Sequence, residues 1–159
     1  MKGYKMEFGF STPKKWRVTS WLLRKWMGTP YSHVYMKFYN GFTGEFVVYE
    51  ASYGDVHRQA YKNFEESNKI INEISFDLER EDMKRAVAFL DDQLQKPYGY
   101  AALFGIILNQ LFGISFGHDG DKKFICSELV ARAFPEVFNT DGKVDYATPR
   151  DIYEILEEL

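Results

Sequence analysis

Two short runs joined by a glycine-bracketed turn constrain this chain most. Ser32 to Tyr39 and Glu45 to Ala51 each read as a strand, and Asn40-Gly41-Phe42-Thr43-Gly44 between them is a hairpin signal. A hairpin commits the chain to an antiparallel pair. The surrounding pattern interleaves further strands with helices, so the fold class is α+β, with an antiparallel sheet packed against helices. The chain has 159 residues, 45% of them hydrophobic and 18% aromatic. That suits one domain, 1–159, with a core of its own.

The other elements follow from local signals. Met6 to Phe10 alternates and reads as a first strand. Thr12 is placed to cap a helix that has Pro13 at its first position and runs over 13–27, stopping at Gly28. Trp16, Leu22, Leu23, Trp26 and Met27 are its apolar positions, and Lys14, Lys15, Arg17, Arg24 and Lys25 its cations. Such cations ordinarily make a solvated face. The sharper alternative is a peripheral contact with an anionic lipid or cell-wall surface. Asp55 to Tyr61 reads as a short strand, 62–68 as a polar loop and Lys69 to Phe76 as a strand.

Asp77 is placed to cap the next helix, in which Met83, Ala86, Val87, Leu90 and Leu94 recur at helical spacing. Pro97-Tyr98-Gly99 breaks that helix. Ala101 to Phe112 is an almost wholly apolar helix, expected to be buried, with an acyl-pocket wall as the lesser alternative. A Gly- and Asp-rich loop, 113–123, leads to a helix that opens at Cys126 and ends at Pro135. Thr148 and Asp151 form a capping box around Pro149 for the last helix.

Charge and cysteine content exclude several classes. A net charge of −3 offers no global field for nucleic acid. One cysteine forbids an internal disulfide framework. The first residues hold no apolar signal-peptide core, and no apolar stretch reaches membrane-spanning length. The expectation is a cytoplasmic protein.

The single cysteine lies in Phe124-Ile125-Cys126-Ser127-Glu128-Leu129-Val130, at the start of a helix, with Ser127 a possible cap. A thiol at that positive end is favoured as thiolate, the nucleophilic form. A base is needed beside it. Of the three histidines, His118 lies in a Gly-Asp loop and His57 in a polar stretch expected to be exposed. His33 lies early in a strand, where a base is held rigidly; a lone strand histidine is otherwise a half-buried packing residue. If the turn pairs Tyr39 with Gly44, His33 stands directly opposite Glu50, with Cβ atoms roughly 5 Å apart. A register shifted by one pairs His33 with Ala51 and sends Glu50 to the other face. The sequence leaves that register open.

Taken together, Tyr31-Ser32-His33-Val34, Val48-Tyr49-Glu50-Ala51, Lys96-Pro97-Tyr98-Gly99 and the Cys126 run resemble the circularly permuted papain-like enzymes of the NlpC superfamily, the YiiX-like group. The resemblance spans about Met6 to Ile152, and it departs from the group at the first strand and the basic helix. It implies a permuted papain-like fold with the histidine ahead of the cysteine. It further implies Cys126 as nucleophile, His33 as general base, Glu50 as the third polar residue and the Cys126 N–H in an oxyanion hole. Tyr31, Ser127 and Tyr98, which adjoin these residues, are the substrate-binding candidates.

The resulting expectation is a thiol hydrolase, an amidase or peptidase, that cleaves an amide or ester through an acyl-enzyme without a cofactor. A peptide, a peptidoglycan-like polymer or an acyl lipid would be the substrate, and a lipid acyltransferase is the alternative on the same fold. A catalytically silent module recognising ligands through Tyr31, Tyr35, Tyr53 and Tyr98 is a rival of another class. A metal site built from His33, Glu50 and His57 or His118 is a third, but no HExxH or paired-Cys spacing supports it.

Overall fold

The computed structural model describes residues 4–52, 54–114, 122–138 and 147–159. His118 and Tyr53 lie outside them. The element order is β1 (Tyr4–Pro13), α1 (Val18–Met27), β2 (His33–Asn40), β3 (Glu45–Ala51), β4 (Val56–Ala60), α2 (Tyr61–Ser67), β5 (Asn68–Leu78), α3 (Arg80–Gln93), α4 (Tyr100–Phe112), α5 (Cys126–Ala133), α6 (Pro135–Phe138) and α7 (Pro149–Glu157). The described strands form one antiparallel sheet in the order β4-β3-β2-β1-β5. The α+β class therefore holds.

Strand alternation divides the buried residues between two faces. On one, Met6, Phe8, Phe10, Val34, Met36, Tyr49 and Ala51 join Met83, Ala86 and Leu90 of α3, Leu129 and Val130 of α5, and Ile152 and Leu156 of α7 in a single core. Burial of each large side chain contributes about 1.5–3 kcal/mol. Phe8 anchors this face by edge-on contacts with Phe76, Phe134 and Phe138. The opposite face carries a smaller cluster of Tyr35, Val48 and Phe64. There the Tyr35 ring lies over Gly9, and a Cβ at Gly9 would stand 2.0 Å from Tyr35 Cζ. The Tyr35 hydroxyl donates to Glu73 at 2.6 Å, and Lys37 Nζ donates to both Glu73 oxygens at 2.9 Å.

Several boundaries differ from the sequence expectation, each for a local reason. The first strand runs on to Pro13, because past a register shift Thr12 and Pro13 still pair with Lys69 and Asn68 of β5. Pro13 is tolerated as the strand's last residue, where its missing N–H interrupts little of the ladder. The helix then starts at Val18, with Arg17 as N-cap and no side-chain cap bond. Thr12 Oγ1 instead lies 3.2 Å from Ser20 Oγ, which lies 2.7 Å from Ser32 Oγ. Gly28 ends the helix in the left-handed conformation expected of it, at φ 66°.

Tyr61, read as the end of a strand, and residues 62–67, read as part of a polar loop, form α2, and Asn68 opens β5. Asp77 pairs with Lys5 inside β5, and Glu79 is the N-cap of α3. The Thr148–Asp151 capping box is present on α7. Helix α4 reverses its expectation: Gly105 and Ile106 alone are buried on it. Phe104, Leu111 and Phe112 are exposed. No helix among the described residues is long and apolar enough to cross a membrane.

Candidate active site

Helix α5 begins at Cys126, and Ile125 is its extended N-cap. Cys126 is buried against β2, and the backbone N–H groups of Val34 and Ser127 both donate to its sulfur. The side chain of His33, the first residue of β2, hydrogen-bonds the same sulfur. Its Nε2 faces Glu50 Oε2 at 2.7 Å, which leaves Nδ1 for the thiol. The chain Cys126–His33–Glu50 is thus continuous.

Electrostatics follows from that contact. Burial alone would push the Cys126 thiol up, but the hydrogen bond and charge of His33, with the two backbone donors, bring it below the ordinary thiol range. Burial of His33 acts to lower its pKa; the bonds to Cys126 and Glu50 outweigh it and raise the imidazole well above its usual value. Both shifts favour the same pair of charges, a thiolate beside an imidazolium. Glu50 is buried, which would raise its pKa, yet bonds from His33 and His57 bring it from 4.5 down to about 2.

Glu50 reaches His33 in a register two residues from the one the turn suggested. Tyr39 pairs with Phe46, not Gly44, and Met36 with Tyr49. A shift of two keeps every side chain on its face. Glu50 therefore stays on the His33 side and makes the bond diagonally.

The sequence reading missed how much else holds Glu50. His57 stands directly opposite it on β4 and donates from Nε2 to Oε1 at 3.0 Å. Gln59 Nε2 donates to the same oxygen at 2.7 Å. His57 Nδ1 lies 3.1 Å from Asp55 Oδ1, and the bond to Glu50, against partial burial, raises its pKa. His57 and Gln59 are two residues apart on one strand, so a firm β4 assignment would have put them on one face.

The remaining expected site residues separate. Tyr98 lines the cleft beside Ser32, His33 and Glu50, a cavity of about 690 Å³. It also lines the narrow recess at Cys126, together with Leu23 and Trp26 of α1 and Leu103 and Ile106 of α4. Ser127 is a correction to the capping expectation: it lies inside α5, and its Oγ donates to the Ala147 carbonyl at 2.6 Å. It borders the recess, with its hydroxyl proton spent on that bond. Tyr31 is a correction too. It is buried against Phe10 and Tyr153, ring centroids 5.0 and 5.6 Å away, and lines neither opening. Tyr35 is likewise core.

No protein-family model matches the chain, and no curated protein matches it. The fold and site together define a class in outline: an α+β domain whose antiparallel sheet carries a strand histidine, held by a carboxylate, against a cysteine at a helix start. Among solved structures, the crystal structure of the metalloprotein YiiX from Escherichia coli O157:H7 is similar, with a TM-score of 0.59 and 17% identity over 88% of this chain and 69% of that one. The likeness is one of fold.

The metal description belongs to YiiX. Among the described residues here, no group of three or more His, Cys, Asp or Glu is arranged to hold a metal ion. His33 and His57 each aim a ring nitrogen at a different oxygen of Glu50, so these donors are satisfied by one another. The set does not fit a metal, and no step below uses one.

Proposed function

We propose that the chain is a thiol hydrolase of the permuted papain-like kind, with Cys126 as nucleophile, His33 as acid–base and Glu50 as the residue that orients His33. The observation that carries this reading is the unbroken hydrogen-bond chain from the Cys126 sulfur through the His33 ring to Glu50 Oε2. The order of histidine before cysteine and the YiiX-like fold support it. A non-catalytic module has no need of a thiol polarised in this way.

The chemistry starts from the thiolate–imidazolium pair. The Cys126 sulfur attacks the carbonyl carbon of an amide or ester, forming a C–S bond and a tetrahedral oxyanion. In this reading the backbone N–H of Cys126, at the positive end of α5, stabilises that oxyanion, the role the family resemblance implies for it. The C–N or C–O bond breaks as His33 gives its proton to the leaving group. Water then yields a proton to His33 and attacks the thioester carbon, releasing the acid and restoring Cys126. An alcohol or amine in place of water makes the same sequence an acyl transfer.

The test is an acyl trap. The intact protein is mixed with a p-nitrophenyl ester and quenched, and Cys126-bearing peptides are weighed. The reading expects an acyl mass on Cys126 and a burst of nitrophenol, both lost in Cys126→Ala. Turnover undiminished in Cys126→Ala would end the proposal.

A further inference from the structure

We infer that α1 and α4 form a docking face for an anionic phospholipid bilayer, with the recess above Cys126 opening beside it. The observations are the outer faces of the two helices. On and before α1, Trp16 is 74% exposed, and Val18, Trp21 and Leu22 are exposed with it. On α4, Phe104 is 62% and Phe112 67% exposed, beside exposed Tyr100 and Leu111. Solvent alone does not explain this much aromatic and aliphatic surface concentrated on two helices.

The two helices are neighbours at the site. Leu23 and Trp26 of α1 and Leu103 and Ile106 of α4 line the same recess with Cys126. Those four residues line the recess with the thiol, while other positions of the same two helices carry exposed apolar groups.

Charge selects the occupant. From Lys14 to Lys25 the chain holds Lys14, Lys15, Arg17, Arg24 and Lys25 and no acid, in a protein of net charge −3. The rest of the chain is therefore net acidic, and an anionic surface is attracted to this basic stretch, where Lys15 and Lys25 are exposed and Lys14, Lys15 and Arg17 border the large cleft. Helix α4 carries no charged residue at all, so nothing on it resists entry into the headgroup layer. Exposed Trp16 and Trp21 interleaved with Lys and Arg, beside the uncharged apolar α4, suit the interface between headgroups and acyl chains. A second copy fits less well, because apposed α1 helices would set like charges against one another. A docked face would bring an acyl lipid to Cys126. That extension rests on the thiol-hydrolase reading, whereas the docking does not.

The experiment is flotation of the intact protein with vesicles of phosphatidylcholine alone and of phosphatidylcholine with one third phosphatidylglycerol, at low and high salt. Partitioning onto the anionic vesicles is expected to exceed that onto neutral ones by about tenfold or more, to fall with salt, and to shift Trp emission to the blue. Lys15→Glu/Lys25→Glu should cut anionic binding by roughly tenfold or more, since each surface cation is worth about fivefold. Phe104→Ser/Phe112→Ser should weaken binding at every salt concentration. These are exposed positions, and circular dichroism and melting confirm that the variants fold.

Absence of flotation overturns the inference, as does flotation unchanged in both double variants. So does a dimer lost on Phe104→Ser/Phe112→Ser, or binding to isolated peptidoglycan with none to vesicles. The acyl trap separates the two proposals. Docking with an inert Cys126 ends the hydrolase reading alone, and an acylated Cys126 without docking ends this inference alone.

Discussion

Glu50 Oε2 lies 2.7 Å from His33 Nε2, and that one bond turns the other ring nitrogen toward the Cys126 sulfur. Glu50→Gln keeps the shape and removes the charge. Loss of a fixed acid–base partner is expected to lower single-turnover acylation roughly 10²-fold, within the range that positioned proton transfer contributes. Stopped-flow acylation with a p-nitrophenyl ester measures it. A rate within twofold of the native protein would show that Glu50 does not orient His33.

Glu50 also ties stability to pH. Its carboxyl is brought down from 4.5 to about 2 in the fold. Between those values the unfolded chain binds the proton more readily than the folded one does. The stabilisation is therefore complete above about pH 4.5 and is lost as pH falls toward 2, a loss on the order of 3 kcal/mol. Urea midpoints should hold between pH 7 and 4.5 as far as Glu50 is concerned and fall from pH 4.5 through 3 toward 2, and Glu50→Gln should flatten that fall.

His57 shares Glu50 with His33, donating to the other oxygen at 3.0 Å. Removing it takes one of the bonds that hold Glu50 ionised. His57→Ala is expected to raise the pH at which acylation falls off on the acid side while leaving the rate at neutral pH within about tenfold. A purely structural role would lower the rate evenly at all pH values. The pH profile of single-turnover acylation distinguishes the two.

Gly9 is demanded by the ring above it. A Cβ there would fall 2.0 Å from Tyr35 Cζ, and Tyr35 is held by its bond to Glu73. Gly9→Ala is expected to cost about 1–3 kcal/mol, the penalty of overpacking. Gly9→Ala/Tyr35→Leu should cost less than the two single changes together. Urea unfolding of the four proteins checks both statements.

Legibility in the sequence followed the physics of each signal. Hairpin strands, the Gly28 stop and the Thr148–Asp151 box were readable because each depends on neighbours in sequence. The pairing of His33 with Glu50 survived a register error because sheet faces repeat every second residue, so a slip of two is invisible to side-chain direction. Helix α4 was misread because its composition reports hydropathy and not what covers it; burial needs a partner, and Phe104 and Phe112 have solvent. His57 was misread as an exposed polar residue because its role depends on β4 lying beside β3, a contact no local pattern announces. Tyr31 adjoins the site in sequence, but its ring packs toward Tyr153, far along the chain.

The most direct test of the Cys126–His33 pair is the thiolate absorbance at 240 nm across pH, in the native protein and in His33→Ala, with Cys126→Ser as blank. It requires no reagent to enter the recess. The account predicts thiolate in the native protein well below pH 7, against about 8.5 for a free cysteine. In His33→Ala the midpoint should move above 8.5, because burial then acts unopposed by a cation. A native midpoint at or above about 8.5, unmoved by His33→Ala, would contradict the account and leave Cys126 a core thiol.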